Sequence, residues 1–140
     1  MLLTLISLAA CNYVEITSSN VDTIIGVHLP SIVKFYLSDC VYCQELAPEF
    51  LEAAEMFSEN DIIFGGINCD ENPDLCTRFN VDGYPRIFYF EKDSKKEGTR
   101  FTDQRKANSI ADFVEEMSNI KAKRPFSVLN EVNPENIASF

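Results

Sequence analysis

Residues 32–50 read IVKFYLSDCVYCQELAPEF. The opening Ile32–Leu37 run is rich in β-branched and aromatic residues, which predicts a buried strand. From Val41 onward, Leu46, Phe50, Ala54 and Phe57 recur at helical spacing. They predict a helix to about Glu59, kinked at Pro48. Two cysteines three residues apart fall at the strand-to-helix junction. Cys40 is expected at the helix N-terminus, where free backbone N–H groups and the helix dipole favour a thiolate. Cys43, one turn on, faces back and can resolve a mixed disulfide formed by Cys40. The same spacing also suits a static disulfide or half a zinc site. Zinc takes four ligands, usually as two close pairs, and the C-x6-C spacing of Cys69 and Cys76 matches that poorly, so no metal is expected.

Outward from this stretch, Tyr13–Ile16 reads as a short strand. Ser18, Ser19 or Asn20 can cap a helix running towards His28, which Pro30 ends. Asp61–Ile67 is the next strand. Asn72 can cap, and Pro73 start, a short helix with Leu75 and Phe79 on one face. Arg86–Glu91 is a strand, Asp93–Lys96 a turn, and Gly98–Thr102 a returning strand. Ile110, Phe113, Val114, Met117 and Ile120 form the apolar stripe of a last helix. The order βαβαβαββα implies an α/β domain whose sheet is covered on both faces.

The chain has 140 residues, enough for one domain, and 46% are apolar, a globular composition. Its formal net charge of −10 repels phosphate backbones, so nucleic acid is not an expected partner. The apolar run Leu2–Ala10 is too short to span a bilayer and reads as the core of a signal peptide over 1–11, although no Lys or Arg precedes Lys34. Leu8-Ala9-Ala10-Cys11 also resembles a lipoprotein box, which would lipidate Cys11. Cleavage after Ala10 is one option; cleavage after Cys11 is the other and leaves Cys40, Cys43, Cys69 and Cys76, an even count that suggests two pairs in an oxidising compartment. Lys121–Pro125 marks a boundary, giving a domain over 12–120 and a tail over 121–140. The sequence ends in NIASF, without a KDEL-type signal, so secretion or retention in the endoplasmic reticulum by a partner is expected. His28, the single histidine, receives no role, and no Cys–His dyad is available. Glu45, Glu49, Glu52, Glu55 and Glu59 read as one solvated helix face.

Three segments together resemble the protein disulfide isomerase (PDI) family: KFYLSDCVYCQELAPEF, NPDLCTRFNVDGYPRI and FTDQRKANSIADFV. The resemblance covers about residues 12–120 and implies a thioredoxin fold with a central mixed sheet flanked by helices. It implies thiol–disulfide oxidoreductase or isomerase activity on unfolded or disulfide-bonded clients of the secretory pathway, with an oxidase or glutathione as redox partner and no bound cofactor. Cys40 matches the nucleophile, Cys43 the resolving cysteine and Pro48 the helix proline. Tyr84 and Pro85 match the substrate-facing cis-proline pair. Arg105 matches a mobile arginine that lowers the pKa of the resolving thiol when it approaches. Cys69 and Cys76 match cysteines that form a structural bridge in some relatives.

Four positions depart from the pattern. Lys34 stands where the family has a buried acid that relays the proton of the resolving cysteine. A charged lysine cannot accept that proton, so slower resolution is expected, although a cation there favours thiolates. Asp39 replaces a tryptophan and opposes a Cys40 thiolate. Tyr42 replaces a histidine that stabilises it. Both changes imply a reduction potential below that of typical PDI domains. Asp103 replaces a glycine near Arg105 and bears on its mobility. Two other classes of function remain open on the sequence: a non-catalytic client-binding module using the apolar surface around Tyr42 and Tyr84, and a lipid-anchored extracytoplasmic disulfide reductase.

Overall fold

A computed structural model describes residues 12–124. The expected leader over 1–11, Cys11 included, and the tail from 125 onward lie outside the described residues. In chain order the elements are β1 (Tyr13–Glu15), α1 (Val21–Ile24), β2 (Ser31–Tyr36), α2 (Val41–Glu55), β3 (Ile63–Asn68), α3 (Pro73–Arg78), β4 (Arg86–Phe90), β5 (Thr99–Arg100) and α4 (Ala107–Ser118). This is the order expected from the sequence. The five strands form one sheet in the order β1-β3-β2-β4-β5. β1 and β2 pair parallel to β3, while β4 runs antiparallel to β2 and β5 antiparallel to β4. The sheet is therefore mixed, and this is a thioredoxin fold.

β2 is central because it can bury both its faces. Ile32, Lys34 and Tyr36 alternate with Val33 and Phe35. Ile32 packs with Leu46 and Phe50 of α2, Phe64 of β3 and Ile110 and Val114 of α4. Val33 and Phe35 pack on the other face with Val21 of α1 and Leu75 of α3. Phe50, Phe57 and Phe64 are fully buried. Each such side chain stabilises the fold by about 2–3 kcal/mol.

Two helices are shorter than their apolar spacing predicts. α1 stops at Ile24 because Gly26 turns the chain with φ +77°. The β-branched Ile24, Ile25 and Val27 also lose rotamer freedom in a helix. The amides of Asp93 and Ser94 then donate to the carbonyls of Val27 and Gly26, tying this segment to the turn after β4. α2 ends at Glu55, not Glu59. Beyond it, Met56, Phe57 and Ser58 donate three residues back, to Ala53, Ala54 and Glu55, the tighter pattern common at helix ends.

α2 and α4 meet through a polar contact as well as apolar ones. The Ala107 amide, first in α4, donates to Oε1 of Glu49 at 2.8 Å. Glu49 thus departs from the solvated acidic face expected of its helix. It supplies the cap that Lys106, at the N-cap position, cannot. The packed chain runs past Ile120. Ala122 donates to Glu115 at 2.7 Å, Lys123 donates to the Met56 carbonyl at 2.7 Å, and Arg124 pairs with Asp112 and Glu115 at 2.7 and 3.0 Å.

Candidate active site

The C-terminal end of β2 delivers the chain to the first turn of α2. Cys40 is the N-cap, with extended backbone (φ −136°, ψ 115°), and its Sγ accepts the Cys43 amide at 3.2 Å. Cys40 is half-buried and Cys43 buried. The two are joined as a disulfide with Cα atoms 5.2 Å apart. A sulfur at a helix N-cap receives both a backbone donor and the positive end of the helix dipole, so its thiolate is favoured once the bond is opened. Between them, Val41 and Tyr42 are 65% and 62% exposed, an apolar rim around the dithiol.

β4 enters beside this junction. Its antiparallel register pairs Arg86 with Phe35, near the end of β2, so the residue before it lies level with the start of the cysteine loop. That residue is Pro85, and the Tyr84–Pro85 peptide bond is cis, as the family resemblance implied. Pro85 is buried, and half-buried Tyr84 packs against the cluster holding Phe35. Pro85 and Arg105 line a common cavity, and the Arg105 guanidinium carbon stands 5.9 Å from the centroid of the Tyr42 ring. The cysteine loop, the proline loop and Arg105 therefore share one end of the sheet. Asp39 is exposed beside Cys40.

Lys34 is buried, on the sheet face that α2 covers. Its Nζ lies 5.0 Å from the Tyr36 ring centroid and 5.5 Å from those of Tyr13 and Phe50. Strand register explains the box. Glu15 of β1 and Lys34 of β2 both pair with Gly66 of β3, so the three form one rung with side chains on one face. Gly66 contributes no side chain, and the Tyr13 hydroxyl and Glu15 carboxylate occupy the space a Cβ there would need. Glu15 accepts hydrogen bonds from Tyr36 at 2.9 Å and from Tyr13. Burial lowers the Lys34 pKa from its usual 10.5, and the Glu15 charge partly restores it. Burial, then the Glu15 hydrogen bond and charge, raises the Tyr36 pKa. None of this box was singled out from the sequence except Lys34, because the signal lies in cross-strand register, not in spacing along the chain.

Cys69 and Cys76 are also joined as a disulfide, with Cα atoms 5.9 Å apart. Both are buried in the cluster with Phe35 and Leu75. The loop they bracket reaches the active site through groups not anticipated from sequence. The Ser38 amide donates to Asp70 at 2.8 Å, Asn68 donates to the Ser38 hydroxyl at 3.0 Å, and the Asp70 amide donates back to Asn68 at 2.9 Å. The residues leading to Cys40 are thus held by side chains from the end of β3. Among the described residues, no group of three or more His, Cys, Asp or Glu side chains is placed to hold a metal. No helix among them is long and apolar enough to cross a membrane.

A helix-capping dithiol beside a cis-proline on a β1-β3-β2-β4-β5 sheet defines a thioredoxin-fold domain of redox type. Residues 12–116 match the thioredoxin family model, and the chain belongs to that family. Its curated relatives are PDI-family proteins. A probable protein disulfide-isomerase A6 of Medicago sativa is 33% identical over 110 residues, covering 78% of this chain and 30% of that protein. Protein disulfide-isomerase 1 of Caenorhabditis elegans is 36% identical over 109 residues, covering 76% of this chain and 22% of that protein. The chain thus spans about a third or less of these relatives. The crystal structure of human ERp44 shares the fold, with a TM-score of 0.70 and 24% identity over 80% of this chain and 31% of that one.

Proposed function

We propose that this chain catalyses thiol–disulfide exchange on client proteins of the secretory pathway. The observation that carries the proposal is Cys40 at the α2 cap, bonded to Cys43 one turn behind, with the Tyr84–Pro85 loop at the same end of the sheet. In the reducing direction the Cys40 thiolate attacks one sulfur of a client disulfide and expels the other as a thiolate. Cys43 loses its proton, attacks the Cys40 sulfur and releases the client's second thiolate. Two electrons have then passed to the client, and the Cys40–Cys43 disulfide remains. The oxidising direction reverses each step, and an oxidase or glutathione resets the pair.

In this proposal Tyr84 and Pro85 offer backbone to an extended client, and exposed Val41 and Tyr42 add apolar contact. Lys34, Asp39, Tyr42 and Arg105 modulate the two thiols, and the Cys69–Cys76 bridge is structural. The compartment is the endoplasmic reticulum lumen or the exterior, with residues 1–11 as the leader; of the expected tail over 121–140, Ala122, Lys123 and Arg124 pack on the domain. Reduction of insulin disulfides by dithiothreitol tests the activity. Wild type accelerates it, Cys40→Ala does not, and Cys43→Ala accumulates mixed disulfides. Equal rates with wild type and Cys40→Ala would leave only client binding. The mass of the mature N-terminus decides between a cleaved leader and a lipid on Cys11.

A further inference from the structure

The five arginines of this chain fall into two groups. Arg78 pairs with Asp22 at 2.9 Å, Arg86 with Asp82 at 3.1 Å, and Arg124 with Asp112 and Glu115 at 2.7 and 3.0 Å. Among the described residues, Arg100 and Arg105 make no ion pair of this kind, the Arg100 charge reaching Asp82 only at longer range, in a chain whose net charge is −10. A single exposed arginine says little, since solvent screens it. These two converge. Both line one concave cavity of about 160 Å³, together with Pro85, Arg86, Thr102 and Asp103.

We propose that Arg100 and Arg105 bind a carboxylate carried by the thiol or disulfide substrate, one to three residues from its reacting cysteine. The proposal rests on the exchange activity argued above and names the substrates that activity favours. Position supports it. Pairing of Arg100 with Phe88, and donation from the Phe101 amide to the Ile87 carbonyl at 2.8 Å, fix the segment after β5 alongside the strand that Pro85 opens. Arg105 reaches across to Tyr42, the residue next to Cys43. An extended substrate advances about 3.3 Å per residue, and Pro85 and the Arg105–Tyr42 contact put the cavity at the same end of the sheet as Cys40.

Charge supports it as well. The lining presents three guanidiniums against the single carboxylate of Asp103, which also accepts the Gln104 amide at 2.7 Å. Arg86 is held by Asp82 and by the Pro85 carbonyl at 3.2 Å, which leaves Arg100 and Arg105 as the donors for a ligand. Planar guanidiniums suit a carboxylate, with two parallel donors each. The volume suits one acidic side chain or terminus, being below the roughly 300 Å³ at which sites for whole drug-sized ligands begin. The shared chemistry has two sources. An acidic client segment carries it near its cysteine, and glutathione carries carboxylates on both sides of its own.

The test uses the oxidised full chain and probes that cannot exchange: S-methylglutathione, a short peptide with S-methylcysteine flanked by glutamates, and the same peptide with glutamines. Amide shifts of Arg86, Thr102 and Arg105 follow each titration by NMR. The glutamate peptide, S-methylglutathione or both should bind, and the glutamine peptide should bind about tenfold more weakly. The Arg100→Gln/Arg105→Gln variant should lose about tenfold for each carboxylate probe that binds, and added salt should mimic that loss. Binding by S-methylglutathione alone assigns the site to the small thiol, and binding by the glutamate peptide alone to clients. Affinities within twofold between the two peptides and within twofold between wild type and variant would overturn the proposal. A kinetic arm compares glutathione disulfide with neutral hydroxyethyl disulfide. Arg100→Gln, which leaves Arg105 in place to modulate the thiols, should slow only the former, and equal slowing of both would place Arg100 on the cysteines instead of the substrate. Wild type inert towards every disulfide would sink the exchange activity while the binding result stood separately.

Discussion

Removing the second disulfide by Cys69→Ala/Cys76→Ala should destabilise the fold without abolishing exchange. The bridge joins positions seven apart, so the chain-entropy relation gives about 2.4 kcal/mol of stabilisation through the unfolded state. Both half-cystines are buried, at 5% and 4% exposure, and truncation leaves a small void worth roughly a further 1 kcal/mol. The folded loop should survive, because Asn72 donates to the Asn68 carbonyl through its amide at 2.9 Å and its side chain at 3.1 Å, and Asp70 still reaches Ser38. The effect therefore falls mainly on the unfolded chain. Guanidinium unfolding of the oxidised proteins should show a loss of about 2–4 kcal/mol, and thermal melts a fall of roughly 10 °C. Insulin reduction well below the melting point should stay within about threefold of wild type. A stability loss under about 1 kcal/mol combined with a large loss of exchange would refute the reasoning, since it would make the pair a redox partner of Cys40–Cys43 and not a brace.

Three other outcomes follow from particular contacts. Glu49→Gln weakens the cap on Ala107 and should cost about 1 kcal/mol in thermal melts, whereas Glu52→Gln on the exposed side of α2 should cost under about 0.5 kcal/mol; equal losses would deny the cap. Burial holds Lys34 below 10.5, so between its folded pKa and 10.5 the unfolded chain binds more protons and stability rises with pH; wild type should gain on Lys34→Met as pH climbs from about 8 to 10, and parallel stability curves would count against the buried cation. The comparison stops near pH 10 because burial raises the Tyr36 pKa and pushes that of Tyr89 up to about 12, and groups raised in this way lose stability as pH increases beyond that point. Asp70→Ala should speed hydrogen exchange of the Ser38 amide about tenfold and leave Ile110 unchanged, and an unaltered Ser38 rate would mean that Asp70 does not hold the cysteine loop.

What the sequence disclosed and what it hid divide along a physical line. Strand and helix identities, the helix-capping cysteine and the short α3 behind Pro73 are written in local spacing, and the structure has them in the order expected. Helix ends were less legible. α1 is cut short by the left-handed turn at Gly26, and an isolated glycine among β-branched residues does not reveal that. Glu49 looked like its solvated neighbours because its partner, the Ala107 amide, lies 58 residues away. Arg100 carries no motif at all. Its place beside Pro85 follows from the β4–β5 register and from the ion pairs its fellow arginines make.

The lysine at position 34 shows the same division at the centre of the site. Along the chain it is an acid replaced by a base, which removes a proton acceptor. Across the sheet it belongs to a rung in which an exposed acid, Glu15, and a side-chain-free Gly66 complete the environment, with three aromatic rings facing the ammonium. The Phe50 ring centroid lies 5.5 Å from that ammonium, and Phe50 belongs to the helix whose first turn carries Cys43. A cation beneath the helix that carries Cys43 acts in the direction of the thiolate. Asp39 opposes from a position open to solvent, where screening weakens it. Under the function proposed above, lysine at this place exchanges a path for the Cys43 proton for a field that favours its thiolate, and Lys34→Glu should then shorten mixed-disulfide lifetimes, unchanged lifetimes refuting this account.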